Sequence, residues 1–236
     1  PFDNDRKNPL YRMLKEDMRL RTKALAEYVG IDTAENTKLW NLYAEEDGQE
    51  AASEPFRQWP EENTTFTGGW IETVWDQSEP FNSFCPLDPV DANRAYVGCV
   101  ATAMAQVINY HKTCEAKFDE DDSFTTFSGI DFDGDSEIYD FPAFEELNEY
   151  LTVVRSKYDS NADMNDTDLA ALSFACGLSI RMDYSSEGSG ASPYDMREAL
   201  LDKFGFYSAQ MMGGLSRESY HLLQESMING LPALLS

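Results

Sequence analysis

The 236-residue chain predicts an α+β fold, and three observations carry the prediction. Apolar residues recur at helical spacing in several stretches, above all after Cys99 and from Phe144 to Val154. Two shorter stretches, Ile71 to Trp75 and Gly177 to Tyr184, alternate as strands do. The composition is 42% hydrophobic and 13% aromatic, enough for a packed core. Helices led by the Cys99 helix, packed on an antiparallel sheet of which this chain holds the first strands, satisfy all three.

Taken in order, Pro9 opens a helix. Its apolar stripe is Leu10, Met13, Leu14, Met18, Leu25 and Tyr28, and Gly30 ends it. A shorter helix runs on through Leu39, Trp40 and Tyr43, and residues 45 to 50 read as a linker. Residues 1 to 50 thus form a helical hairpin that needs a surface to pack on. Ile71 to Trp75 is a short strand leading to Gln77, and Pro80, Pro86 and Pro89 make the next stretch an irregular loop. Residues 115 to 141 mix acids with aromatics and read as a surface excursion. Within it, Asp131-Phe132-Asp133-Gly134-Asp135 fails the calcium-loop template, because its glycine is at position 4 rather than 6 and position 12 is Pro142. Helices follow over Phe144 to Val154 and Leu169 to Gly177, the second apolar almost all round, so Cys176 is core. Then come the strand Gly177 to Tyr184, a small-residue loop to Ser192, helices from Pro193 and from Arg217, and a strand starting at Gly230.

The net charge of −25 argues against nucleic-acid binding. It is uneven: residues 1 to 48 carry 10 acids and 8 bases, the remainder 33 and 10. The imbalance fits the solubility of an extracellular protein, and alternatively a relatively basic front segment that docks on an acidic body. No apolar run approaches the ~18 residues that cross a membrane. The chain starts at Pro1 without a methionine, so the lack of a leader says nothing about targeting. The four cysteines form no C-x-x-C pair, and no cofactor or metal is expected.

The chemistry centres on Gly98-Cys99-Val100-Ala101-Thr102-Ala103-Met104-Ala105-Gln106. The run of helix formers places Cys99 in a first helical turn, where free N–H groups carry partial positive charge and favour an anionic sulfur. Gly98 permits close backbone approach just before it. By itself this pattern fits a buried structural cysteine as well as a nucleophile.

A wider set of residues separates the two. Gln77-Ser78-Glu79-Pro80-Phe81-Asn82, then Cys85-Pro86, then the Cys99 helix closed by Tyr110-His111, resembles the streptopain family of secreted bacterial cysteine proteases. Gly177-Leu178-Ser179-Ile180, Met182-Asp183-Tyr184 and Phe204-Gly205-Phe206 are similar to the same family. The resemblance implies a papain-like fold and a cysteine endopeptidase acting on protein or peptide substrates. Cys99 would be the nucleophile and Gln77 an oxyanion-hole donor, while Gly188, Ser189, Gly190, Ala191 and Ser192 would line the substrate groove. Residues 1 to 50 would be the last part of a pro-region and 51 to 236 the front part of the catalytic domain, in a secreted or cell-surface protein.

A thiol protease also needs a histidine beside the sulfur. His111 lies twelve residues further along the same helix, about 18 Å away at ~1.5 Å per residue. His221 falls mid-helix and is expected to face solvent. The resemblance puts the base in a Gly-Gly-His segment after a strand beginning like Leu231-Pro232-Ala233-Leu234-Leu235, hence beyond Ser236, in a missing C-terminal chain. The alternatives are a catalytically inactive binding or inhibitory fragment, and an acyltransferase in which an amine resolves the thioester.

Overall fold

The computed structural model describes residues 63–67, 69, 71–214 and 216–234. The helices and linker expected over residues 1 to 50 lie outside the described residues. The described elements are α1 (Cys99–His111), β1 (Phe124–Thr125), β2 (Asp131–Phe132), α2 (Ser136–Tyr139), α3 (Phe144–Ser160), α4 (Asp166–Ser179), α5 (Met196–Asp202) and α6 (Arg217–Ile228). Two 3-10 turns, Glu120–Asp122 and Pro193–Asp195, complete the set. Strands β1 and β2 pair antiparallel, Phe124 opposite Phe132 and Thr125 opposite Asp131.

Helix α4 packs against both α1 and α3, which explains its all-round apolar sequence. It buries Ala171, Leu172, Phe174, Ala175, Cys176 and Leu178. It starts three residues earlier than the sequence predicts, because Asn165 and Asp168 form a reciprocal capping box. Asn165 N–H donates to Asp168 Oδ2 at 2.7 Å, and Asp168 N–H donates to Asn165 Oδ1 at 3.0 Å. The Asp168 carboxylate also takes the Lys157 ammonium from α3, so one 3%-exposed acid joins two helices. Helix α3 runs six residues past Val154 because Tyr158 reaches the core and its hydroxyl donates to Asn109 Oδ1 on α1 at 3.2 Å.

Three expectations are corrected. Residues 115 to 141 are not a surface excursion: Phe118, Phe132 and Phe141 are buried, and Phe132 stacks with Phe141, Phe174 and Tyr184 at 4.8, 6.0 and 5.6 Å. The acids between them serve turns. Asp119 caps the 3-10 turn, and Asp133 Oδ1 accepts from the Phe144 N–H at 3.0 Å. Gly177 to Tyr184 is not a strand, since α4 continues to Ser179 and the chain then turns, with Met182 N–H donating to Gly177 O at 2.9 Å. Its alternation is real as burial, because Leu178, Ile180, Met182 and Tyr184 all point inward. Ile71 to Trp75 also alternates in burial without joining a sheet. It docks instead on the Gln106 side chain, whose Oε1 accepts from Thr73 Oγ1 at 2.9 Å and from the Trp75 N–H at 3.4 Å. Residues 230 to 234 likewise carry no strand pairing.

Asp168→Ala should destabilise the domain by about 2 kcal/mol, since it removes a cap and the partner of the half-buried Lys157 ammonium. Asp168→Asn, which keeps an acceptor for the cap, should cost less. Denaturant unfolding of both variants measures this, and equal midpoints for wild type and Asp168→Ala would contradict it.

Candidate active site

Gly98 is the N-cap of α1, with φ 88° and ψ 136°, in the region that favours glycine. Space is tight there as well. A Cβ on Gly98 would lie 2.6 Å from Met182 Cε, 2.7 Å from Met182 Sδ and 3.3 Å from the Ser189 carbonyl oxygen. Three segments therefore meet at one point: the start of α1, the turn after α4, and the loop through Ser189. The Thr102 N–H closes the first helical turn onto Gly98 O at 3.0 Å. Among the described residues no side chain caps the helix start, so the first-turn N–H groups are left as donors. Cys99 stands there, exposed.

Gln77 is tied to the same place. The Val97 N–H, two residues before Cys99, donates to Gln77 O at 3.0 Å. Asp76 Oδ1 accepts from the Ser78 N–H at 3.0 Å, the Ser78 hydroxyl at 2.9 Å and the Gln77 N–H at 2.5 Å. These donors, those of Ser78 foremost, hold the Asp76 carboxyl below its usual range. The turn fixes the Gln77 backbone, and the half-buried Gln77 amide has no hydrogen-bond partner among the described residues.

The loop is stitched to this frame through its backbone. Asp183 and Gly190 exchange two N–H···O bonds of 2.8 and 3.0 Å. The Ser189 hydroxyl donates to Tyr96 O at 2.6 Å and accepts from the Ser185 N–H at 3.0 Å. Tyr96 N–H donates to Ser185 O at 3.1 Å, and Ser186 N–H to Asp88 Oδ2 at 2.8 Å. The Ser186 and Val90 N–H groups lower the Asp88 carboxyl from its usual value. Ser192 Oγ accepts from the Tyr194 N–H at 3.3 Å and so caps the next 3-10 turn. Of the five loop residues expected to contact substrate, Ser189 and Ser192 therefore use their hydroxyls internally. Gly188 and Gly190 are exposed, and Ala191 is half-buried.

Neither histidine is poised to serve the thiol. His111 ends α1, its ring edge-on to Tyr110 and Phe206 at 5.2 Å each, and burial lowers its pKa. His221 has a 70%-exposed side chain that faces Glu225 Oε1 at 3.8 Å. Among the described residues no group of three or more His, Cys, Asp or Glu could hold a metal ion. Sequence reasoning missed Asp76, Asp88 and Met182 as supports of this site. Asp76-Gln77-Ser78 does carry an Asx-turn signal, whereas nothing local marks Met182 as the partner of Gly98.

The other three cysteines are free and buried. Burial pushes the Cys114 thiol up to about 11 and raises those of Cys85 and Cys176 as well. A buried thiol held up in this way stays protonated and unreactive near neutral pH. Iodoacetamide at pH 8 should therefore add once to the folded protein, at Cys99, and four times in denaturant. Intact mass reads the count, and two or more adducts on the folded chain would contradict the burial described.

A thiol protease/hemagglutinin, PrtT, of Porphyromonas gingivalis is 29% identical over 133 residues, which are 56% of this chain and 14% of that protein. A solved prointerpain A fragment of Prevotella intermedia aligns with a TM-score of 0.47 at 23% identity, over 69% of this chain and 51% of the fragment. The chain thus spans about half of the fragment and a far smaller part of PrtT. No described helix is long and apolar enough to cross a membrane. The model of the peptidase C10 family matches residues 75–236, from the Gln77 turn through the Cys99 helix, and the chain belongs to that family of cysteine proteases.

Proposed function

We propose that this chain is the front part of a secreted C10 cysteine endopeptidase. Cys99 attacks the substrate carbonyl and forms a thioester. The Gln77 amide and the Cys99 N–H hold the oxyanion, and the backbone of residues 188 to 191 receives the peptide. A histidine outside these 236 residues moves the proton. Residues 1 to 50 are the end of a pro-region, and 51 to 236 are the first part of the catalytic domain. The observation that carries the reading is an exposed cysteine on a helix start with no side-chain cap, beside Gln77, whose carbonyl accepts from the Val97 N–H and whose amide has no hydrogen-bond partner among the described residues. The position of both histidines favours a second reading, a binding or inhibitory fragment without turnover.

Added imidazole separates the two, because a small base can replace an absent side chain. The chain should hydrolyse an activated peptide ester with a rate that rises with imidazole and is lost in Cys99→Ala. Gln77→Ala should lower that Cys99-dependent rate by about 10²–10³-fold. Equal rates for wild type and Cys99→Ala at every imidazole concentration would favour the binding fragment.

A further inference from the structure

The loop that follows Asp183 is tied down by a buried carboxylate far from it in sequence. Asp88 is 7% exposed, and its N–H, its carbonyl and both carboxylate oxygens are all bonded. The N–H donates to Asn93 O at 2.8 Å, and the carbonyl accepts from the Ala92 N–H at 2.9 Å. Oδ1 accepts from the Val90 N–H at 2.8 Å. These three bonds close a turn over residues 88–93, flanked by the antiparallel Leu87–Arg94 bridge. Arg94 donates to Cys85 O at 2.7 Å and pairs with Asp140, so the turn is fixed to the body. The fourth bond leaves the turn. Oδ2 accepts from the Ser186 N–H at 2.8 Å, 98 residues along the chain. No cation pairs with this carboxylate among the described residues, so hydrogen-bond donors meet its charge. Such bonds are about twice as strong as neutral ones.

Ser186 lies where a tie has consequences. On one side of it Ser185 O accepts from the Tyr96 N–H at 3.1 Å, and on the other the Ser189 hydroxyl donates to Tyr96 O at 2.6 Å. The next residue, Val97, holds Gln77 by its N–H. The loop and the Gln77 turn thus hang on neighbouring residues just before Cys99. None of the four Asp88 bonds reaches Gln77, Gly98 or Cys99. Losing the Ser186 bond therefore loosens the loop and leaves the thiol and Gln77 in place. Ser186 has one more bond to this turn, from its hydroxyl to the exposed Asp91 Oδ2 at 2.9 Å. Standing in water, that bond holds less than the buried one.

We propose that Asp88 is a positioning residue for substrate: through Ser186 it orders residues 186 to 189, and so sets how tightly a peptide binds rather than how fast Cys99 reacts. The proposal rests on the protease reading, which lays the peptide along residues 188 to 191. A loop that must be ordered on binding takes that cost from affinity. The role calls for a carboxylate. An asparagine at 88 can keep the Val90 bond, but its amide nitrogen then meets the Ser186 N–H, donor against donor.

The test uses the full chain and a blocked alanyl-valyl-alanine chloromethyl ketone, with iodoacetamide as a reagent that needs no peptide site. Intact mass against time, at several ketone concentrations, gives a saturation constant and a limiting rate of alkylation at Cys99. Asp88→Asn should raise the saturation constant at least about tenfold, as loss of a hydrogen bond to a charged group does. Its limiting rate and its iodoacetamide rate should stay within about twofold of wild type, the mark of lost binding alone. Hydrogen exchange over residues 185 to 187 should quicken in the same variant. Ser186→Ala, which loses only the exposed bond, should raise the constant less than about threefold. An unchanged saturation constant or unchanged exchange in Asp88→Asn overturns the proposal. An iodoacetamide rate that falls in step overturns it too, since that marks a general structural role. So does a larger effect in Ser186→Ala than in Asp88→Asn. In each of these cases the wild-type chain still saturates and the protease reading stands. A wild-type chain that reacts with the ketone without saturation overturns that reading, and the positioning role with it.

Discussion

Everything at the proposed site depends on one cramped contact, Gly98 against Met182 and Ser189. A Cβ there would have to push the end of the Met182 side chain aside and would crowd the Ser189 carbonyl, and glycine alone holds φ 88° easily. The Met182 side chain on the other side of it is fully buried in the core. That core is α4 and the aromatic cluster of Phe132, Phe174 and Tyr184. A second glycine repeats the device one layer down. A Cβ at Gly177 would lie 2.0 Å from Tyr184 Oη, so a helix-interior glycine is used where the ring must approach. The position of the thiol is thus set from the middle of the domain outward.

The electrostatics follow from the same arrangement. The helix start is uncapped because its N-cap is a glycine with no side chain to offer. The donors that a serine or aspartate would satisfy are left without a side-chain cap, which the proposed oxyanion role requires. The one exposed thiol stands there, and the three buried thiols are kept protonated by desolvation.

Much of this was legible in the sequence, and the failures have common causes. The Cys99 helix, the buried α4 with Cys176 and the order of Gln77 before Cys99 could be read from spacing and from the resemblance to streptopains. The strand expected at 177 to 184 was misread because a tight turn packed on both sides gives the same inward alternation as a strand. Ile71 to Trp75 fits the same description, with Gln106 supplying the partner that a neighbouring strand would have given. Residues 115 to 141 looked like surface because acids outnumber apolar residues there, yet those acids cap turns that aim Phe118, Phe132 and Phe141 inward. The meeting of Gly98 with Met182 joins positions 84 residues apart, and no local pattern could announce it.

The most direct test is the structure of the chain with a peptide aldehyde bound covalently to Cys99. The adduct oxygen stands where the oxyanion would. The account predicts that oxygen within about 3 Å of both the Gln77 side-chain nitrogen and the Cys99 backbone nitrogen, with the peptide along residues 188 to 191. An adduct oxygen turned to solvent, with the Gln77 amide bonded elsewhere, would contradict it.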